Sequence, residues 1–290
     1  MLSIPGWGDD IISDSRHAGS TRESGFGVGP GGSSEPNYRF FIKLLANYCD
    51  PDKLKAIERL LNPNANFNQL KNPNLLPSFF LKSRLFLEGT PAIISPWLHQ
   101  GNIRGYVERN PRTDIFLKIC TVADTLNYLH RNEVVHGNLK PSNILIDDCG
   151  SIVLVDYGRS HIIDPCNPEN GLRSARYAAP ELVDGSVKNR TYKSDVYAFA
   201  SVSIEILTGV KPFSSASSDV DIVLALFHQE CPYHFTDHLN SHHGVLSQAF
   251  WGLMNACWKA DPDRRPDMPE ICVSLRRMGS SVSGENNVNP

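Results

Sequence analysis

The sequence predicts a two-part α+β fold, with a small strand-bearing part first and a larger helical part after it. Two observations predict it. Short apolar runs separated by Asn-Pro, Leu-Pro and Gly breaks fill the stretch up to Pro96, as strands and turns require. From Thr113 onward, apolar residues recur at helical spacing in long segments. A chain of 290 residues that is 41% hydrophobic also has enough apolar material for a sizeable core.

Taken in chain order, residues 1–36 read as an irregular leader, because positions 19–36 are rich in Gly, Ser and Pro and lack apolar periodicity. Gly27-Val28-Gly29-Pro30-Gly31-Gly32 spells a GxGxxG within it. A phosphate-cradling loop needs flanking strands, and Pro30 lacks an N–H donor, so a linker is expected there. Residues 37–95 form the expected small part. Its Arg39–Leu45 run suits a strand or a helix start, Lys53–Leu61 has helical spacing, and Leu85–Ser95 suits two short strands around Glu88-Gly89-Thr90-Pro91.

Residues 96–278 form the expected helical part. Ile115, Ile119, Val122, Leu126 and Leu129 fall on one helical stripe. Ser151–Asp156 reads as a buried strand. Asp195–Leu207 is apolar almost all round, which predicts a helix inside the core. Gln248–Lys259 and Met268–Met278 are further helices, and residues 279–290 read as a frayed tail.

Composition excludes several function classes. Lys and Arg number 28 and Asp and Glu 31, a net charge of −3, so no global field draws the chain to nucleic acid. No run of 18 apolar residues predicts a membrane span, and the first residues do not read as a secretory signal. Seven scattered cysteines without a CxxC pair suit reduced thiols and a cytoplasmic setting.

The motifs lie in the second part. His136-Gly137-Asn138-Leu139-Lys140-Pro141-Ser142-Asn143 is followed by Asp156-Tyr157-Gly158. Then come Ala179-Pro180-Glu181, Asp195-Val196-Tyr197-Ala198-Phe199, and Cys257-Trp258 with Asp261-Pro262-Asp263-Arg264-Arg265-Pro266. In this order and spacing the chain, from about Asn72 to Met278, resembles eukaryotic protein kinases, nearest to the tyrosine-kinase-like group. It is also similar to kinase-like families expanded in mushroom-forming fungi. The resemblance implies a two-lobed protein kinase fold with a reduced small β lobe and a large helical lobe. It implies ATP and Mg²⁺ as cofactors if the nucleotide site is intact, and a protein substrate or partner.

Phosphoryl transfer needs phosphate charge neutralised and the acceptor hydroxyl held in line. A hard cation takes oxygen ligands, and the resemblance assigns Asn143 and Asp156 to that role. It assigns Lys140 to the transferring phosphate, Gly158 to backbone freedom after Asp156, and Trp97, Leu98 and Leu145 to the nucleotide. It pairs Glu181 with Arg265 and makes Asp195 an acceptor for the His136 loop. Lys43 is the candidate for the nucleotide-clamping lysine and Glu58 for its partner. A solvated lysine on a helix or edge strand is the competing reading of Lys43.

The departures matter as much. Asn138 stands where kinases carry the aspartate that accepts the substrate proton, and an amide takes no proton. Gly137 stands where an arginine pairs with a phosphorylated activation segment. Ser160, Ser174 and Tyr177 are hydroxyls of that segment, read as ordinary loop residues. A pseudokinase acting in signalling as a binding or scaffold module is therefore expected. The alternative is an active Ser/Thr-type kinase. Cys231, His234, His238, His242 and His243 form a rival constellation for zinc, but their spacing fits no strong template.

Overall fold

Strand pairing in the first part reaches further upstream than the hydrophobic pattern. The computed structural model describes residues 11–13, 23–28, 39–44, 70–82, 91–157, 175–187, 189–233 and 248–285. The chain divides into two compact units, Met1–His99 and Gln100–Pro290.

The first unit holds an antiparallel sheet of β1 (Ile11–Ser13), β2 (Glu23–Val28), β3 (Arg39–Leu44), β4 (Phe79–Lys82) and β5 (Pro91–Pro96). Their order is β1-β2-β3-β5-β4. The aromatic and branched residues Phe40, Phe41 and Ile42 suit β3 to the middle of this sheet. Lys43 stands on it opposite Glu23 and Ile93, so the strand that carries it is central and not an edge.

One expectation changes here, and others lie outside the described residues. The leader supplies β1 and β2; β2, whose glycine-bearing sequence has no period of its own, becomes strand by pairing with β3, and β1 pairs in turn with β2. Gly27 and Val28 end β2, and Gly29 to Gly32 lie outside the described residues. β5 pairs with β4, which begins at Phe79, just past the Leu76-Pro77 break; the strand expected from Leu85 lies outside the described residues. The expected Lys53–Leu61 helix, with Glu58, lies outside the described residues.

The second unit contains α1 (Ile103–Arg109), α2 (Ile115–Arg131), β6 (Ile144–Ile146), β7 (Ile152–Leu154), α3 (Pro180–Val183), α4 (Tyr192–Thr208), α5 (Asp219–Phe227), α6 (Gln248–Cys257) and α7 (Met268–Glu285). Asp114 caps α2 by accepting from the Leu117 N–H at 2.9 Å. The whole stripe from Ile115 to Leu129 is buried, as its spacing predicts. β6 and β7 form a two-stranded antiparallel ribbon. Ile144 and Ile146 are buried and Leu145 between them is half-buried, the period-2 alternation of a strand.

Helix α4 is the interior element. Thirteen of its 17 residues are buried, among them the polar Asp195 and Glu205. Thr191 and Ser194 close its N-terminus in a reciprocal capping box, and Gly209, in the left-handed region, ends it. Helix α7 runs to Glu285, past the point at which the frayed tail was expected. No helix among the described residues is long and apolar enough to cross a membrane.

Candidate functional site

The site assembles on two loops, one of which is held by α4. Asp195, in the first turn of α4, accepts the backbone N–H of His136 and of Gly137, both at 2.8 Å. His130, near the end of α2, also meets Asp195, with Nε2 2.9 Å from Oδ2. One buried carboxylate therefore fixes the loop that carries Asn138. The path requires Gly137 to take φ +74°, where a side chain is strained.

His136 is fully buried, and burial pushes its imidazole below its ordinary range. It is therefore neutral, and its Nδ1 accepts the Asn138 N–H at 3.2 Å. Asn138 is 7% exposed and donates its side-chain amide to Oδ2 of Asp156 at 3.2 Å. Asn143 donates its own amide to the Asn138 carbonyl at 2.7 Å, and its backbone carbonyl accepts the Val155 N–H at 3.0 Å. Asn138, Asn143 and Asp156 thus come together from the end of β7 and from the loop before β6.

Asp156 sits at φ +65°, a conformation that costs a non-glycine residue roughly 1–2 kcal/mol. Lys140 is half-buried, and its carbonyl accepts the Asn143 N–H at 2.9 Å. Gly137, Asn138, Lys140, Tyr177, Arg190 and Asp195 all line one shallow cleft. Asn143 and Asp156 offer an amide oxygen and a carboxylate. That is the donor set of a Mg²⁺ site whose remaining ligands are water and phosphate oxygens, so these residues fit the cation.

The other expected residues belong to other elements or lie outside the described residues. Lys43, Trp97 and Leu98 belong to the first unit, with Trp97 42% exposed and Leu98 half-buried. Leu145 lies on β6 opposite Val153. Gly158, Ser160 and Ser174 are outside the described residues, as are His234, His238, His242 and His243. Cys231 is half-buried, and burial raises its thiol pKa. No cluster of three or more metal-ligating side chains occurs among the described residues.

The Glu181–Arg265 pair forms as expected. Both guanidinium-to-carboxylate bonds are 2.7 Å, and both side chains are buried. The guanidinium also donates to the carbonyls of Lys259, Lys193 and Ala260 and lies over the Tyr197 ring.

Sequence reasoning missed a second network. Tyr177 donates to Glu205 at 2.6 Å, and Arg104 on α1 pairs with the same carboxylate at 3.1 Å. Burial and this hydrogen bond push the Tyr177 hydroxyl far up. The available signal was a single Glu in the apolar run Val202-Ser203-Ile204-Glu205-Ile206-Leu207, since an unpaired carboxylate is not tolerated there.

Comparison with known proteins agrees with this geometry. The protein kinase domain family matches residues 97–274. The human receptor-interacting serine/threonine-protein kinase 1 is 25% identical over 248 residues, covering 79% of this chain and 36% of that protein. The Arabidopsis thaliana serine/threonine/tyrosine-protein kinase HT1 is 28% identical over 199 residues, covering 66% of this chain and 48% of its own. The Arabidopsis serine/threonine-protein kinase STY17 is 26% identical over 205 residues, with 67% and 33% covered. The chain spans between 11% and 48% of the length of the curated relatives it matches. With a family match across most of the helical unit, and the motif loops arranged around Asp195, the chain belongs to the protein kinase domain family.

Proposed function

We propose that this chain is a pseudokinase or catalytically impaired kinase that acts in signalling as a binding or scaffold module. The observation that carries the reading is the Asn138 amide, turned toward the Asp156 carboxylate at 3.2 Å. An amide can orient a substrate hydroxyl by hydrogen bonding but cannot take up its proton. General-base assistance of that kind contributes roughly 10²–10⁴ in rate. Gly137 stands where the family carries the arginine that pairs with a phosphorylated segment.

Bound Mg²⁺ and ATP would supply the transferable phosphoryl group and the charge that offsets it. Asn143 and Asp156 would hold the cation, and Lys140 would neutralise phosphate charge. Retention of these three residues favours a second reading, an active Ser/Thr-type protein kinase with protein hydroxyls as substrate. Five described cysteines are free thiols, which fits a reducing cytoplasmic setting.

Phosphotransfer from radiolabelled ATP to a mixed protein substrate, with Mg²⁺, tests the reading. The expected rate equals that of Asp156→Ala. A rate well above that variant would overturn the proposal and establish the kinase. Thermal unfolding with and without Mg²⁺ and ATP tests the nucleotide separately. At about 100 times its dissociation constant a bound nucleotide adds roughly 2.7 kcal/mol. That moves the midpoint by at least about 2–4 °C in a domain of this size.

A further inference from the structure

Helix α5 is apolar on two sides. Its sequence, Asp219-Val220-Asp221-Ile222-Val223-Leu224-Ala225-Leu226-Phe227, buries Ile222 and Leu226 completely. At about 100° per residue these two lie opposite Val220, Leu224 and Phe227, which are spaced i, i+4 and i+7. Those three are 59%, 51% and 64% exposed. The buried pair accounts for how the helix is anchored. Among the described residues nothing covers the second stripe, although it is as apolar as the side that packs.

The ends of the stripe are acidic. Asp219 and Asp221 stand at the N-terminal turn and Glu230 lies three residues beyond the helix. Hydrogen bonds from Ser218 hold the Asp221 carboxyl below the usual range, so it stays ionised. Between Pro212 and Tyr233 there is no Lys or Arg. Helix α3, against which α5 packs, ends at Asp184. The nearest cation in sequence is Lys211, which is exposed, while Arg176 is engaged by the Pro212 and Phe213 carbonyls, to which it donates.

We infer that the exposed face of α5 docks an amphipathic helix of a partner protein, with apolar residues at i, i+4 and i+7 and Lys or Arg at both ends. The stripe runs about 10 Å along one helix, which matches the apolar stripe of another helix. The acidic ends select a basic partner over an acidic one and steer its approach. They also disfavour a second copy of this chain, since pairing two such faces brings acid against acid. The inference rests on reading the chain as a binding module and names the surface that binds.

The test uses the full chain without nucleotide and a fluorescent peptide of about five helical turns. The peptide carries Leu at i, i+4 and i+7, Lys at both ends, and no Ser, Thr or Tyr. It therefore cannot be phosphorylated, and a failure here leaves the Asn138 reading untouched. Fluorescence anisotropy should show binding that weakens with salt and falls at least about tenfold in Leu224→Glu/Phe227→Glu. Both side chains are exposed, so that variant should keep the wild-type unfolding midpoint. A peptide with Glu in place of Lys should bind about tenfold more weakly, and Glu230→Lys should narrow that preference. The proposal is overturned if wild type ignores the peptide, if the double variant binds it unchanged, or if the Glu peptide binds equally well. Self-association of the wild type that the double variant loses would also overturn it, in favour of a second copy.

Discussion

The Asn138 amide reaches the Asp156 carboxylate across 3.2 Å, a hydrogen bond between a position that holds a proton acceptor in active kinases and the residue that would ligate the cation. With an amide at 138, only one of the two side chains is negative, and the pair is satisfied without a metal. Replacing Asn138 by Asp puts two carboxylates at this distance. We expect Asn138→Asp to lose about 1–3 kcal/mol in metal-free buffer, through like-charge repulsion and the lost bond. Mg²⁺ should restore part of it. Urea unfolding with and without Mg²⁺ measures both. If the base is the only defect, the same variant gains phosphotransfer.

Glu181 and Arg265 tie α3 to the segment after α6 through two charge-assisted bonds. Glu181→Ala leaves a guanidinium buried without its carboxylate. Such a loss costs about 3–5 kcal/mol. Arg265→Met with Glu181→Leu should cost much less than the sum of the single changes, because neither charge is left unpaired. Equilibrium unfolding of the four proteins in the cycle checks this.

Gly137 holds φ +74° while its N–H bonds Asp195. Gly137→Ala should destabilise by about 1–2 kcal/mol, since the backbone cannot leave the left-handed region without breaking that bond. Gly137→Arg, which restores the kinase residue, should carry the same backbone penalty. A change within about 0.3 kcal/mol in either variant would show that the loop relaxes.

Burial pushes the Cys257 and Cys272 thiols up to about 12, while Cys149 is exposed. Thiolate is the reactive form, so iodoacetamide at pH 8 should label Cys149 first among the described cysteines. Cys257 and Cys272 should be labelled only when the helical unit opens. Peptide mass mapping over time checks the order. Early labelling of Cys257 would mean that α6 is not packed as described.

Much of the site was legible because kinase motifs are local. Each is a short run whose order along the chain survives without any knowledge of contacts, and the loop that carries Asn138 and Asn143 is contiguous. The Ile115–Leu129 stripe was legible for the same reason, since helical burial leaves a period of three to four. The strands of the leader were not. β1 and β2 have too little apolar pattern to announce themselves, and their state depends on a paired neighbour, β3 for β2 and β2 for β1. The Arg104–Glu205–Tyr177 network was hidden for a related reason: its members come from three elements far apart in sequence.

By itself, then, the sequence determined that a kinase-like helical part follows a strand-bearing part, that position 138 holds an amide, and that an amide and a carboxylate stand at 143 and 156. These are statements about residue identity and spacing, which need no geometry. Only the tertiary structure decided that Asp195 anchors the His136 loop from below, that Asn138 bonds Asp156, and that α5 turns Val220, Leu224 and Phe227 to solvent. The physical reason is that burial and partnership belong to pairs of distant residues. A helix apolar on two sides looks the same in sequence whether one side or both are covered.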